Sequence, residues 1–332
     1  MRTVKNFSKG FLPCAMLSCA VILFGIVGLF VRGINFGIDF VPGFIEEVEI
    51  SAASAEKTAS ESEETAVFTG TVTVDAVRSA FADSSISVKE LSSNGKTTYQ
   101  IRAKSNGKEE DDQKLKDEVV SSLNAKFGAE NVKVVREDYV GSSFSSSLAV
   151  KSVALALVTL LLIWGYATIR FHWDFALGAI VALVHDFLIM FAFISWTQIE
   201  FSTTTLAAVL TIFGYSINAT VVILDRVREN IKLGQIKVFN DIINKSVSDT
   251  FARSIITTVT TMFASVSLIV FTSGSIHDFA VVLTVGLLSG CYSSMFISSG
   301  FISFIRRNWK AEYKNHVHQP KAKRALAELT VE

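Results

Sequence analysis

The sequence predicts an α-helical membrane protein, a bundle of six transmembrane helices that carries one α+β domain outside the bilayer. Three observations predict it. Half of the 332 residues are hydrophobic (50%), and the mean hydropathy is +0.42 with only 3 prolines, too apolar over long windows for an ordinary soluble enzyme. Six apolar runs stand near 11–31, 148–169, 175–196, 203–224, 254–273 and 279–304, each long enough to cross a hydrocarbon core of about 30 Å. Between the first two runs, residues 32–147 are polar and alternate strand-like and helix-like periodicities in the order βαββαβ.

Residues 1–10, MRTVKNFSKG, give a basic start before the first apolar run. A cleaved signal peptide begins in the same way. Here the run continues unbroken to Val31 with no small-x-small cleavage site near its end, so an uncleaved anchor helix at 11–31 is expected. Cys14, Cys19 and Cys291 all fall inside apolar runs, as small packing residues and not as an exported disulfide framework.

The segment 32–147 is read element by element. IEEVEI (45–50) alternates like a strand, and TVDAVRSAFA (73–82) has helical spacing. SISVKEL (85–91) and TTYQIRA (97–103) flank a turn at Asn94-Gly95. DDQKLKDEVVSSLNAKF (111–127) is an amphipathic helix, and VKVVREDYV (132–140) is a last strand. This is the order of the split βαβ, ferredoxin-like unit, in which two helices cover one face of an antiparallel sheet. SAASAEKTASESEET (51–65) has no aromatic or long aliphatic residue with which to build a core and reads as a flexible loop. The domain contains no Gly-rich phosphate cradle, no CxxC, no HExxH and no Ser-His-Asp spacing, so a binding module is expected, without metal, nucleotide or other cofactor.

Residues 148–304 hold five more spans, read as helices because a chain in lipid must satisfy its own backbone hydrogen bonds. Orientation follows from Lys and Arg. Arg2, Lys5 and Lys9 precede the first span, Arg170 separates the second and third, six basic residues from Arg226 to Arg253 separate the fourth and fifth, and seven follow the last in the basic tail 305–332. The alternate loops TQIEFS (197–202) and GSIHD (274–278) contain neither residue type. Both termini are therefore expected in the cytoplasm and residues 32–147 outside, with Lys151 snorkelling from a helix end. Formal net charge is +0; the exported segment carries 20 acidic and 13 basic residues. The imbalance is topological and implies no nucleic-acid partner.

An ionised side chain near the bilayer centre costs roughly 3 kcal/mol or more, so polar groups inside the spans are the candidate functional residues. His185-Asp186 lies near the middle of the third span, as a proton relay or as a hydrogen-bonding node between helices. In GYSINATVVILDRVREN (214–230), Ser216 and Thr220 share one helix face and Asn218 points away from them. The charges of DRVREN follow: Asp225, Arg226, Arg228 and Glu229, with spacings that gather Asp225, Arg228 and Glu229 on one helical face where they could pin neighbouring loops. The rest of the cytoplasmic loop 225–253 ends in an amphipathic interfacial helix at 244–254, leading to Arg253 at the mouth of the fifth span.

GINFGIDFVPGFIEEVEI, ALVHDFLI, TTLAAVLTIFGYSINATVVILDRVREN and NKSVSDTFARSIITTVTTMF together resemble SecF, the smaller membrane subunit of the bacterial SecDF accessory complex. The resemblance implies an SSD/RND-like six-helix bundle in the inner membrane, paired with a homologous SecD and acting beside the SecYEG channel on unfolded preproteins, driven by proton-motive force. Membrane lipids are the remaining expected contact. The family pattern GYSxNDT has an intramembrane Asp associated with proton coupling; here that position is Ala219, whose methyl group binds no proton. Arg253 matches the family's fifth-span arginine. In GIDFVPG the turn where substrate enters keeps Asp39 and Gly43, while Pro42 stands in place of a flexible residue. Three functions follow as expectations: a Sec accessory subunit coupled through Asp186 or through SecD, the same subunit as an uncoupled scaffold, or one half of an RND-type small-molecule or lipid exporter. The last normally has larger external domains and twelve spans in one chain.

Overall fold

The computed structural model describes residues 4–37, 39–51, 72–81, 86–93, 96–104 and 109–309. The loop 51–65 beyond Ser51, the Asn94-Gly95 turn and the tail beyond residue 309 lie outside the described residues. A 3₁₀ turn, Phe7–Gly10, leads into α1 (Phe11–Val31). The α+β domain comprises β1 (Gly43–Ile50), α2 (Val74–Arg78), β2 (Ile86–Ser93), β3 (Lys96–Lys104), α3 (Glu109–Phe127) and β4 (Val132–Val140). The bundle continues with α4 (Ser142–Arg170), α5 (Trp173–Thr197), α6 (Thr203–Leu233), α7 (Phe239–Phe271), α8 (Gly274–Ser293), a π-helical turn (Ser294–Ser298) and α9 (Ser299–Ile305). Six helices are long and apolar enough to cross a membrane.

The sheet order is β2-β3-β1-β4, antiparallel throughout, which is the expected ferredoxin-like arrangement. Period-two alternation puts Phe44, Val48 and Ile50 of β1 on the helix-covered face with Tyr99 and Ile101 of β3. Val119, Leu123 and Phe127 recur at four-residue spacing on α3 and close that core. The short α2 is capped by Thr73, whose Oγ1 accepts the Ala76 N–H at 3.3 Å.

In the bundle, small residues set the helix approach, because lipid supplies no hydrophobic drive between helices and close packing must replace it. A Cβ on Gly25 of α1 would lie 2.1 Å from the Ala192 Cβ of α5, and one on Gly28 would meet the Trp196 indole at 2.5 Å. Trp196 stacks on Phe24 with ring centroids 4.2 Å apart and donates its Nε1–H to the Phe24 carbonyl. Gly286 of α8 meets Ile212 of α6 in the same way.

Two elements differ from the sequence expectation. Helix α6 continues through Leu233, so the DRVREN charges ride on the helix itself, and it ends at Gly234 with φ 63°. Helix α7 begins at Phe239, and the expected interfacial helix at 244–254 is its first half. The polar side of that half is used: Asn244 accepts the Ser8 N–H at 2.8 Å, and Ser246 Oγ accepts from Asn230 at 2.8 Å. Tertiary partners keep straight a segment that would otherwise lie on a membrane surface.

Candidate intramembrane site

Asp186 and His185 sit in the middle of α5, twelve residues from either helix end, and both are buried (0% and 6% exposed). Helices α5, α6 and α8 converge on the carboxylate. Ser216 Oγ of α6 donates to Oδ2 at 2.6 Å, Ser293 Oγ of α8 donates to Oδ2 at 2.7 Å, and Ser289 Oγ of α8 donates to Oδ1 at 2.6 Å. Ser289 and Ser293 are four residues apart and so share one face of α8. Gly290 lets that face close on α6, since a Cβ there would lie 3.2 Å from the Ser216 Cβ.

The imidazole extends the network to α1. His185 Nδ1 lies 3.1 Å from Asp186 Oδ1, His185 Nε2 lies 3.0 Å from Ser18 Oγ, and Ser18 Oγ lies 3.0 Å from the Tyr292 hydroxyl. Tyr292 donates its proton to the Cys14 carbonyl at 2.7 Å. A carbonyl cannot donate, so Tyr292 must accept from Ser18, and Ser18 in turn must accept from His185 Nε2–H. Nε2 is then protonated. The Nδ1 to Oδ1 bond needs one more proton, held either by Nδ1, giving imidazolium and carboxylate, or by Oδ1, giving imidazole and carboxylic acid. One proton is shared between the two groups, and both arrangements have the same net charge.

Ser216 also borders a second polar space. A cavity of about 240 Å³ lies between α6, α7 and α8, lined by Asn218 and Ala219 of α6, Arg253, Ser254 and Thr257 of α7, and Gly290 of α8. Thr220 is buried and its hydroxyl, like that of Ser254, has no hydrogen-bond partner among the described residues. Arg253 makes no ion pair among the described residues. Asn218 is exposed and Thr220 buried, as their spacing predicts.

The remaining sequence candidates fall at the two bundle ends. At one, Arg170 of α4 pairs with Asp225 at 2.7 Å, Arg226 pairs with Asp249 of α7 at 2.6 Å and with Glu229 at 2.6 Å, and Arg228 Nη1 reaches the Arg170 carbonyl at 3.5 Å. Asp225, Arg226 and Arg228 thus cross-link α4, α6 and α7, while Glu229 holds Arg226 from within α6. At the other, Asp39 Oδ2 accepts the Thr203 N–H at 2.8 Å and its hydroxyl at 2.7 Å, anchoring the chain between α1 and β1 to the start of α6. Gly43 begins β1 and pairs with Lys104 and Val140. Arg102 of β3 forms an ion pair with Glu200, on the link between α5 and α6, across a cavity of about 520 Å³ between sheet and bundle. Burial pushes the Arg102 pKa down, opposed by Asp278, Asp39 and Glu47. No group of three or more potential metal ligands occurs among the described residues.

Sequence reasoning found His185, Asp186 and Ser216 and missed Ser289, Ser293, Ser18 and Tyr292. The available signal was the hydroxyl-rich SGCYSS run (289–294) inside an apolar span.

Comparison with known proteins places this architecture. The model of the family described as protein export membrane protein SecD/SecF, C-terminal, matches residues 119–308. Protein translocase subunit SecF of Borreliella burgdorferi is 35% identical over 90% of this chain and 96% of its own length. SecF of Sebaldella termitidis is 34% identical over 88% of this chain and 89% of its own. SecF of Treponema pallidum is 46% identical over 57% of this chain, which spans 45% of that protein. The crystal structure of SecDF from Thermus thermophilus, a translocon-associated membrane protein, superimposes with a TM-score of 0.72 at 26% identity, over 92% of this chain and 39% of that one. SecDF in a super-membrane-facing form shares the fold with a TM-score of 0.60 at 24% identity, over 100% of this chain and 41% of that one. With six apolar helices, a ferredoxin-like domain and relatives named SecF along most of its length, the chain belongs to the SecF group of the SecD/SecF family of multi-pass bacterial inner-membrane proteins.

Proposed function

We propose that this chain is an accessory subunit of the Sec protein translocase that pairs with SecD, promotes preprotein export beside SecYEG, and couples that work to proton movement through His185 and Asp186. The observation that carries the coupling is the buried His185–Asp186 contact at 3.1 Å and its hydrogen bonds to three neighbouring helices. A buried pair with one proton between Nδ1 and Oδ1 is bonded to α1, α6 and α8. Removing the proton leaves the Nδ1 lone pair facing a carboxylate, which breaks that bond and leaves the carboxylate to the three serine bonds alone. Gain and loss of one proton therefore bear on the packing of four helices. The positive-inside distribution supports cytoplasmic termini and an external α+β domain.

The test measures preprotein release from membrane vesicles with and without an uncoupler. Asp186→Asn is expected to abolish the gradient-dependent part while leaving the subunit assembled; a variant that still responds to the gradient would sink the assignment. A second reading rests on Ala219 beside Arg253: the cavity offers an arginine and no carboxylate from this chain, which fits a scaffold whose coupling lies in SecD. Ala219→Asp separates the two. Gradient sensitivity that appears only in this variant supports the scaffold.

A further inference from the structure

Glu46 of β1 faces the wrong way for a strand glutamate. Its neighbours on the same face, Phe44 and Val48, lie in the domain core, and Glu46 is itself 0% exposed. Neither carboxyl oxygen has a hydrogen-bond partner among the described residues. A buried carboxylate in that state carries a large desolvation cost, so burial favours the neutral acid.

Two charged groups stand next to it. Glu46 is the register partner of Glu137 on the edge strand β4, and directly opposed side chains on one sheet face have Cβ atoms about 5 Å apart. Lys116 of α3 donates to Glu137 Oε1 at 2.5 Å. On the other side β3 opposes Glu46 with apolar Ile101, and the next residue on that face of β3, Tyr99, has its hydroxyl tied to the Val72 carbonyl at 2.7 Å. Two carboxyl groups thus share one lysine, and only the solvent-side one holds it.

We propose that Glu46, Lys116 and Glu137 form a proton-operated fastener between α3 and the sheet. With Glu46 neutral, Lys116 stays on Glu137 and α3 seals the core. When Glu46 loses its proton, the new buried anion draws Lys116 inward and admits water beneath α3, loosening the helix. Burial pushes the Glu46 carboxyl from an ordinary 4.5 up to about 7; Lys116 opposes the rise and Glu137 adds to it. The change therefore falls near neutral pH, and the fastener stands on the domain's own chemistry and not on the coupling proposed for Asp186.

The experiment is amide hydrogen exchange of the full chain in lipid nanodiscs, read over Leu115–Phe127 and corrected for intrinsic rates. If the opened helix leaves Glu46 with an ordinary pKa, opening should become about seventyfold more frequent between pH 5 and pH 8 and then level off. Glu46→Gln should abolish that slope, and Lys116→Met should move the levelling-off to higher pH. Should Glu46→Gln fail to assemble, Glu46→Met, which needs no hydrogen bond, takes its place. An unchanged slope in the Glu46 variant, or a flat response in the unsubstituted chain, overturns the proposal. A retained response to the gradient in Asp186→Asn vesicles would not touch it.

Discussion

Replacing Asp186 by alanine tests whether the carboxylate is the point at which the bundle is tied together. The substitution removes the acceptor of three serine hydroxyls at 2.6 to 2.7 Å and of His185 Nδ1. Hydrogen bonds between membrane helices contribute about 0.6 kcal/mol on average and at most about 1.7, because a stranded hydroxyl turns back to its own helix. Ser293 already points partly that way, toward the Gly290 carbonyl at 3.3 Å. Three serine bonds at those values give a loss of about 2 to 5 kcal/mol for Asp186→Ala. Ser289→Ala, which removes one donor and leaves the acceptor satisfied by others, should cost about 0.6 kcal/mol. Asp186→Asn should fall between them, since the amide keeps one acceptor oxygen and presents a donor where Asp186 presented the other. The assay is unfolding of the full chain in mixed micelles of increasing sodium dodecyl sulfate, followed by far-ultraviolet circular dichroism. An Asp186→Ala loss no greater than that of Ser289→Ala would refute the reasoning, because the serines would then be shown to re-bond locally at no cost.

Two other outcomes are expected. Arg102→Met leaves Glu200 buried and unpaired, and breaking a buried ion pair from one side costs about 3 to 5 kcal/mol; spin-label distances between the domain and the bundle should broaden in this variant and narrow again when Glu200→Leu is added. Stability of the α+β domain should fall as pH rises. The folded chain keeps the Glu46 proton up to about 7 while the unfolded chain releases it near 4.5, so the contribution is whole below 4.5, drains between 4.5 and 7, and totals about 3 kcal/mol. Urea denaturation at pH 5 and pH 8, with Glu46→Gln as the pH-independent control, measures it.

The spans and the βαββαβ order were legible because each rests on a long periodic signal: apolar runs for the helices, and alternation around Phe44, Val48 and Ile50 or spacing through Val119, Leu123 and Phe127 for the domain. Helix α7 was misjudged at its start because NDIINKSVSD has the polarity of an interfacial segment. The partners that make it straight, Ser8 and Asn230, are distant in sequence. Half of the polar site announced itself through charge at mid-membrane. Ser289, Ser293 and Ser18 did not, since a serine in a membrane helix reads equally well as a small packing residue until the carboxylate it serves is placed opposite. Glu46 was legible in its face, since alternation through Phe44, Val48 and Ile50 puts it on the core side, but its lack of a hydrogen-bond partner and its opposition to Glu137 depend on elements distant in sequence. Asp39, read from the sequence at the turn where substrate enters, also holds Thr203, a partner too distant in sequence to be foreseen.

Helix α6 is the one element that touches every part of this arrangement. Asp39 grips its first residue, Ser216 binds Asp186 near its middle, and Asp225 and Arg226 clamp its far third to α4 and α7. An α-helix is stiff over this length and cannot absorb a sideways push within itself. Twenty-two residues separate Asp225 from Thr203, a lever arm of about 33 Å at 1.5 Å per residue, so tilting by about 5° around the clamped end moves Ser216 by about 1 Å and the gripped end by about 3 Å. A displacement of ångström size at the Ser216 hydroxyl thus corresponds to a larger one at Thr203, where Asp39 holds the chain that leads into β1.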